Sequence, residues 1–134
     1  MSGLKVFSVG TSTRSIEEFI ALLKEHGIRV AVDVRRFPTS RRFPHFRKEE
    51  IRRHLEASGL EYHWLGDRLG GFRPGGYEAW MKTQQFKEGL ETLKDLASKA
   101  PTAFFCCERL PWRCHRRFIA RRLQDEGWEV VHLY

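Results

Sequence analysis

The stretch "CCERLPWRCHRR", residues 106–117, holds three cysteines, one glutamate, one histidine and four arginines. Residues of these types perform nucleophilic, acid–base, redox and metal chemistry, and spacing discriminates among them. A tetrahedral zinc site takes cysteines two to four residues apart, or paired histidines. Cys106 and Cys107 are adjacent, so on a strand they point to opposite faces and do not readily share one ion. Cys114 and His115 would need distant help, such as His63 or His132, and no metal is expected. A redox dithiol is usually C-x-x-C, which the chain lacks. Approach of Cys106 or Cys107 to Cys114 across the intervening loop keeps an oxidation-sensitive pair open. "CERLPWR", residues 107–113, matches the C-x5-R spacing of phosphatase-type loops. Such loops need small residues whose amides converge on the anion, whereas this one carries Leu110, Pro111 and Trp112, and Pro111 has no amide hydrogen.

An anion cradle fits best. Cys114, His115 and Arg116 precede an apolar helical pattern, and free amides at a helix start favour a negative ligand and a thiolate. Arg116 and Arg35 are expected to hold phosphate through forked hydrogen bonds. Glu108 is expected to be an acid–base group or the carboxylate that holds an arginine in place.

The elements that must position these groups alternate along the chain. Strands are expected at 5–9, 29–34, 61–66, 102–108 and 129–134, from β-branched and aromatic runs bounded by turn residues. Helices are expected at 15–27, 47–59, 77–83, 84–99 and 114–127. Ser15 and Glu18 make a capping box, and Gly27, Gly59 and Gly127 are C-terminal stops. Ile16, Phe19, Ile20, Leu23, Ile51, Leu55, Phe86, Leu90, Leu93, Phe118, Ile119 and Leu123 face inward. "RRFPTSRRFPHF" and "DRLGGFRPGGYE" read as loops. Strand–helix alternation implies crossover connections. The fold class is therefore α/β, a single three-layer domain over residues 1–134, with a mostly parallel five-stranded sheet and helices on both faces.

In a parallel sheet the loops leaving the strands share the carboxyl edge, where such folds bind ligands. That edge would gather Thr11, Ser12, Asp33, Arg35, Ser40, Arg41, Gly70, Gly71, Cys106, Glu108, Cys114, His115 and Arg116. The competing arrangement is a structural network in which Asp33 and Glu108 pair with neighbouring arginines. A net charge of +7 and a pI near 9.7 favour polyanions as substrates or partners. There is no apolar run long enough to span a membrane. "MSGLKVFSVGTS" is too weakly apolar for a signal peptide, and an odd cysteine count argues against a disulfide scaffold, so a cytoplasmic location is expected.

With these motifs in place, the chain resembles the family called domain of unknown function 488 along nearly its full length. The matching residues are Gly10 and Ser12; Asp33, Val34 and Arg35; Ser40 and Arg41; Leu69, Gly70 and Gly71; and Cys106, Glu108, Cys114, His115 and Arg116. Thr11 stands where the family pattern has histidine. In that register Cys106 rather than Cys107 is the motif cysteine, which counts against the phosphatase loop because six residues further on stands Trp112. The resemblance implies no activity.

The expected function is an enzyme, a hydrolase or transferase without cofactor, acting on a nucleotide, nucleic acid or other phosphorylated substrate. Asp33, Glu108, Cys106, Cys114 and His115 would carry the chemistry; Thr11, Ser12, Arg35, Ser40, Arg41, Gly70, Gly71 and Arg116 would bind the anion. The alternatives are a non-catalytic nucleic-acid-binding module, using Phe37, Phe43 and Phe46 for stacking, and a thiol-based redox sensor.

Overall fold

In a computed structural model the structure describes residues 4–38, 44–108 and 114–134. Five parallel strands, β1 (Lys5–Gly10), β2 (Val30–Asp33), β3 (Glu61–Trp64), β4 (Thr102–Cys106) and β5 (Glu129–Leu133), form one sheet in the order β3-β2-β4-β1-β5. The mixed α/β class and its parallel sheet are as expected, and every described pairing is parallel. Between the strands lie α1 (Ile16–Glu25), α2 (Lys48–Ala57), the short α3 (Gly66–Leu69) and α4 (Tyr77–Trp80), α5 (Gln84–Lys99) and α6 (Arg116–Asp125).

The chain leaves β1 toward β2 and β3 on one side, then returns to β4 and crosses to β5 on the other. Because such crossovers keep one hand, the outward and return excursions place their helices on opposite faces. The two apolar cores show this division. Phe19 and Leu23 of α1 and Ile51 and Leu55 of α2 pack with Phe7, Val9, Ala31, Ala103 and Phe105. Phe86, Leu90 and Leu93 of α5 and Ile119 and Leu123 of α6 pack with Val6, Val30, Val32, Phe104 and Cys106. β1, β2 and β4 thus send alternate residues into each core, as a sheet covered on both faces requires.

Local signals account for most boundaries. The Ser15 hydroxyl accepts from the Glu18 amide at 3.0 Å, and the Ser15 amide donates to the Glu18 carboxylate at 2.7 Å, closing the capping box on α1. Gly27 and Gly127 follow α1 and α6 with positive φ, the conformation that lets a helix stop without a Cβ penalty. Phe118 corrects the inward face of α6, since it is only half-buried and Ala120 is buried instead. The segment expected as one glycine-rich loop contains α3, held against α5. A Cβ on Gly89 would lie 2.7 Å from Arg68 Cβ, so the missing side chain lets those two helices meet.

Candidate functional site

The alternation that fills two cores also divides the carboxyl edge. Cys106 ends β4 on the face of α5 and α6, whereas Asp33 ends β2 on the face of α1 and α2. Two clusters result, and Arg35 of the first also borders the cavity over the second.

On the α1/α2 face, Asp33 is fully buried. Its Oδ1 accepts from Arg35 Nε at 2.8 Å and from the Arg35 amide at 3.0 Å. Its Oδ2 accepts from Arg35 Nη2 at 2.8 Å and from the Tyr62 hydroxyl at 2.6 Å. Arg35 Nη1 donates to the Phe46 carbonyl at 2.6 Å. Burial works against the Arg35 charge, but the hydrogen bonds and field of Asp33 outweigh it and its pKa is raised. This is the internal ion-pair network named as the competing arrangement. It corrects two expectations: Asp33 has no exposed carboxylate for acid–base work, and the Arg35 fork is spent on Asp33 rather than on a phosphate. Phe46, offered for base stacking, is buried against Phe19.

On the α5/α6 face, the thiols meet. Cys106 and Cys114 Sγ atoms are 2.7 Å apart. Arg116, expected as a phosphate clamp, is instead fully buried beneath them. Its Nε donates to Cys106 Sγ at 3.1 Å, its Nη1 to the Ser8 hydroxyl at 2.7 Å, and its Nη2 to the Glu108 carbonyl. A guanidinium cannot be deprotonated, so it places a fixed positive charge against sulfur. The Arg116 amide, the first of α6, approaches Cys114 Sγ at 3.5 Å. His115 Nε2 lies 2.8 Å from the Val34 carbonyl. A carbonyl only accepts, so Nε2 donates to it, and Nδ1 lies 3.4 Å from Cys114 Sγ.

These contacts separate the two sulfurs chemically. Cys114 is brought down to about 4, chiefly by the hydrogen bond it receives from Cys106, with His115 and the Arg116 amide adding and burial opposing. Burial and the neighbouring Cys114 charge push Cys106 well above the ordinary thiol range, against the pull of Arg116. Cys114 is the thiolate and Cys106 the thiol that donates to it. Cys107, one residue past β4, is exposed, and its thiol is raised by partial desolvation and by the charge on Cys114.

A cavity of about 520 Å³ opens over this centre. Its floor and wall include Cys106, Cys107, Glu108, Cys114 and His115, with Arg36 and Arg117 supplying positive charge. Arg35 and Gly71 border it as well, and its remaining sides are aromatic: Phe37, Phe72, Tyr77 and Phe118. Tyr77 stacks on Phe118 and donates its hydroxyl to the Leu69 carbonyl at 2.8 Å. Phe37 and Phe72 are 61% and 84% exposed, and their rings are 6.1 Å apart.

Glu108, Cys106, Cys114 and His115 are therefore brought together, and Arg35 and Gly71 line the same cavity. The glycine pair acts by close packing: a Cβ on Gly70 would stand 2.5 Å from Arg36 Cβ, and one on Gly71 would stand 3.2 Å from His115 Nδ1. Thr11 and Ser12 do not line the cavity; their amides donate to the Cys106 and Cys107 carbonyls at 2.8 and 2.9 Å, tying β1 to the end of β4. Ser40 and Arg41, with Phe43, lie outside the described residues. Sequence reasoning missed Arg36, Phe72, Tyr77 and Arg117 as lining residues, and Ser8 as the buried partner of Arg116. Ser8 had a signal, being the one hydroxyl in the apolar run "KVFSV". Among the described residues no three His, Cys, Asp or Glu side chains converge as metal ligands would, and no helix is long and apolar enough to cross a membrane.

Comparison with known proteins adds a family. The family described as Domain of unknown function DUF488 has a sequence model that matches residues 15–76 and 72–123. No curated protein and no solved structure matches the chain. The chain belongs to the DUF488 family.

Proposed function

We propose that this member of the DUF488 family is a thiol-dependent enzyme acting on a small phosphate-bearing substrate, a nucleotide by preference. The observation that carries this is the Cys114 thiolate at the floor of the cavity, with His115 Nδ1 3.4 Å away and the Cys106 thiol behind it. A lowered pKa activates a nucleophile, and a histidine held by a second hydrogen bond is oriented toward its sulfur. The walls suit a substrate with two ends. Arg36 and Arg117 meet an anionic group, while Phe37, Phe72 and Phe118 offer π-faces to a planar one.

The chemistry is substitution at phosphorus. The thiolate adds as the leaving oxygen departs, and Glu108, on the cavity wall, handles the proton that oxygen takes up. Water then attacks the thiophosphoryl group, releases phosphate and restores the thiolate; an acceptor alcohol in place of water makes the reaction a transfer. Free thiols and a reducing location such as the cytoplasm accord with this role.

The test is turnover of a panel of nucleoside phosphates, with phosphate or nucleoside release as readout. Cys114→Ser is expected to lower the rate at least about 100-fold while affinity changes by less than about twofold, the signature of a lost nucleophile. Full turnover by Cys114→Ser would discard the nucleophile.

A second reading rests on the exposed Phe37–Phe72 pair, a surface on which bases of a single strand could stack without reaction. It predicts oligonucleotide affinity that falls steeply with salt and is indifferent to Cys114→Ser.

A further inference from the structure

We infer that Cys114 and Cys106 form a peroxide-reducing dithiol, in which Cys114 is the attacked sulfur and Cys106 resolves it. Four observations lead there. The two sulfurs sit 2.7 Å apart, not far beyond the roughly 2 Å of a covalent S–S bond, so no large movement separates the thiol pair from its disulfide. They are held by different elements, Cys106 at the end of the central strand β4 and Cys114 just ahead of α6. Both sulfurs border the cavity, but Cys114 is half-buried and Cys106 only 2% exposed, so an oxidant meets Cys114 first. The guanidinium of Arg116 lies 3.1 Å from Cys106, positioned to stabilise that sulfur as an anion whenever the disulfide is opened.

The steps balance. The Cys114 thiolate attacks the terminal oxygen of a hydroperoxide, the O–O bond breaks, and with one proton the products are Cys114 sulfenic acid and an alcohol. Cys106 then passes its proton to the leaving hydroxyl as its sulfur, steadied by Arg116, attacks the Cys114 sulfur; the S–O bond breaks, water departs and a Cys106–Cys114 disulfide remains. A dithiol reductant attacks the disulfide, is itself oxidised to a disulfide, and returns both thiols. This activity rests on the same Cys114 thiolate as the proposed phosphate chemistry. The oxidised protein would lack that nucleophile, so peroxide also switches the phosphate reaction off.

The experiment uses the full chain, reduced and then treated with one equivalent of hydrogen peroxide. Trypsin cleaves after Lys99, Arg109, Arg113 and Arg116, so residues 100–109 and 114–116 separate unless cross-linked. The expected product is that linked pair, with loss of two hydrogens, in the unmodified chain and equally in Cys107→Ser, where Cys106 is the sole partner left. In Cys106→Ala the link disappears and dimedone captures Cys114 as the sulfenic acid. Absence of the link in Cys107→Ser, or over-oxidation of Cys114 with Cys106 still reduced, would overturn the proposal. Iodoacetamide at pH 6 separates the two levels. Rapid labelling of Cys114 without any peroxide-driven link sinks the dithiol alone; failure of Cys114 to label sinks the nucleophile and both activities with it.

Discussion

At the scale of the residue, one negative charge is shared unequally by two sulfurs, and its position is set by what donates to each. Cys114 receives from Cys106, faces His115 Nδ1 and meets the Arg116 amide, which together bring it from the ordinary thiol value of about 8.5 to about 4. Only the thiolate alkylates. The rate of Cys114 modification by iodoacetamide is therefore expected to stay flat from pH 9 to about 5 and to fall as pH drops through about 4. Cys106→Ala removes the largest cause, so its midpoint moves upward toward the ordinary value; an unmoved midpoint would show that Cys106 is not the donor. Asp33 illustrates the opposite use of a charge. Its carboxylate is closed off by Arg35 and Tyr62, so its worth is structural. Asp33→Asn leaves the Arg35 guanidinium buried with a poorer partner and should cost about 3 kcal/mol in urea unfolding. Joint replacement by Asp33→Leu and Arg35→Met should cost less than Asp33→Asn alone, because no buried charge remains.

At the scale of the element, short segments around the strand ends set the shape of the cavity. The backbone passes His115 at Gly71, where a Cβ would come within 3.2 Å of Nδ1. Gly71→Ala should therefore turn the ring that hydrogen-bonds Val34 and raise the midpoint of Cys114 alkylation by about one pH unit, about 1.4 kcal/mol, which slows the reaction at about pH 4 roughly fivefold with little change in the unfolding midpoint. Equal rates for the two proteins would show that ring placement does not govern the thiolate. Five strands and five of the helical segments were legible beforehand because their signals are local: the Ser15–Glu18 box, β-branched runs, and glycine after a helix. The short helix α3 was not. Its sequence "GDRL" is flanked by glycine and has low intrinsic propensity, and it is helical because Gly89 admits it against α5. The pocket was half legible for a related reason. Which loops reach the carboxyl edge follows from strand alternation alone. Which face each side chain takes needs the position of each strand end, and that parity sends Asp33 away from Cys106. Arg116 misled because a helix-start arginine reads as a ligand to an anion until its burial against Ser8 is seen.

At the scale of the whole molecule, an excess of seven positive charges and a divided sheet edge act on different properties. A net positive charge speeds encounter with any polyanion and is screened by salt, whereas under the proposed function the cavity would select by shape and by the charges it encloses. The two contributions separate in a binding experiment. A nucleoside monophosphate that fits the cavity binds only the folded chain, so at about 100 times its Kd it adds about 2.7 kcal/mol of stability. For a chain of 134 residues that corresponds to a rise in Tm of roughly 10 °C. The rise should persist in Cys114→Ser, which keeps the walls, and should shrink in Arg117→Ala, which removes one cavity cation. Salt acts on few contacts in this case, so going from 50 to 500 mM should weaken the mononucleotide by about tenfold at most, whereas a single strand neutralised along a basic surface would lose several powers of ten. A thermal shift seen only with oligonucleotides, and abolished by 500 mM salt, would mean that the surface charge rather than the cavity recognises the ligand.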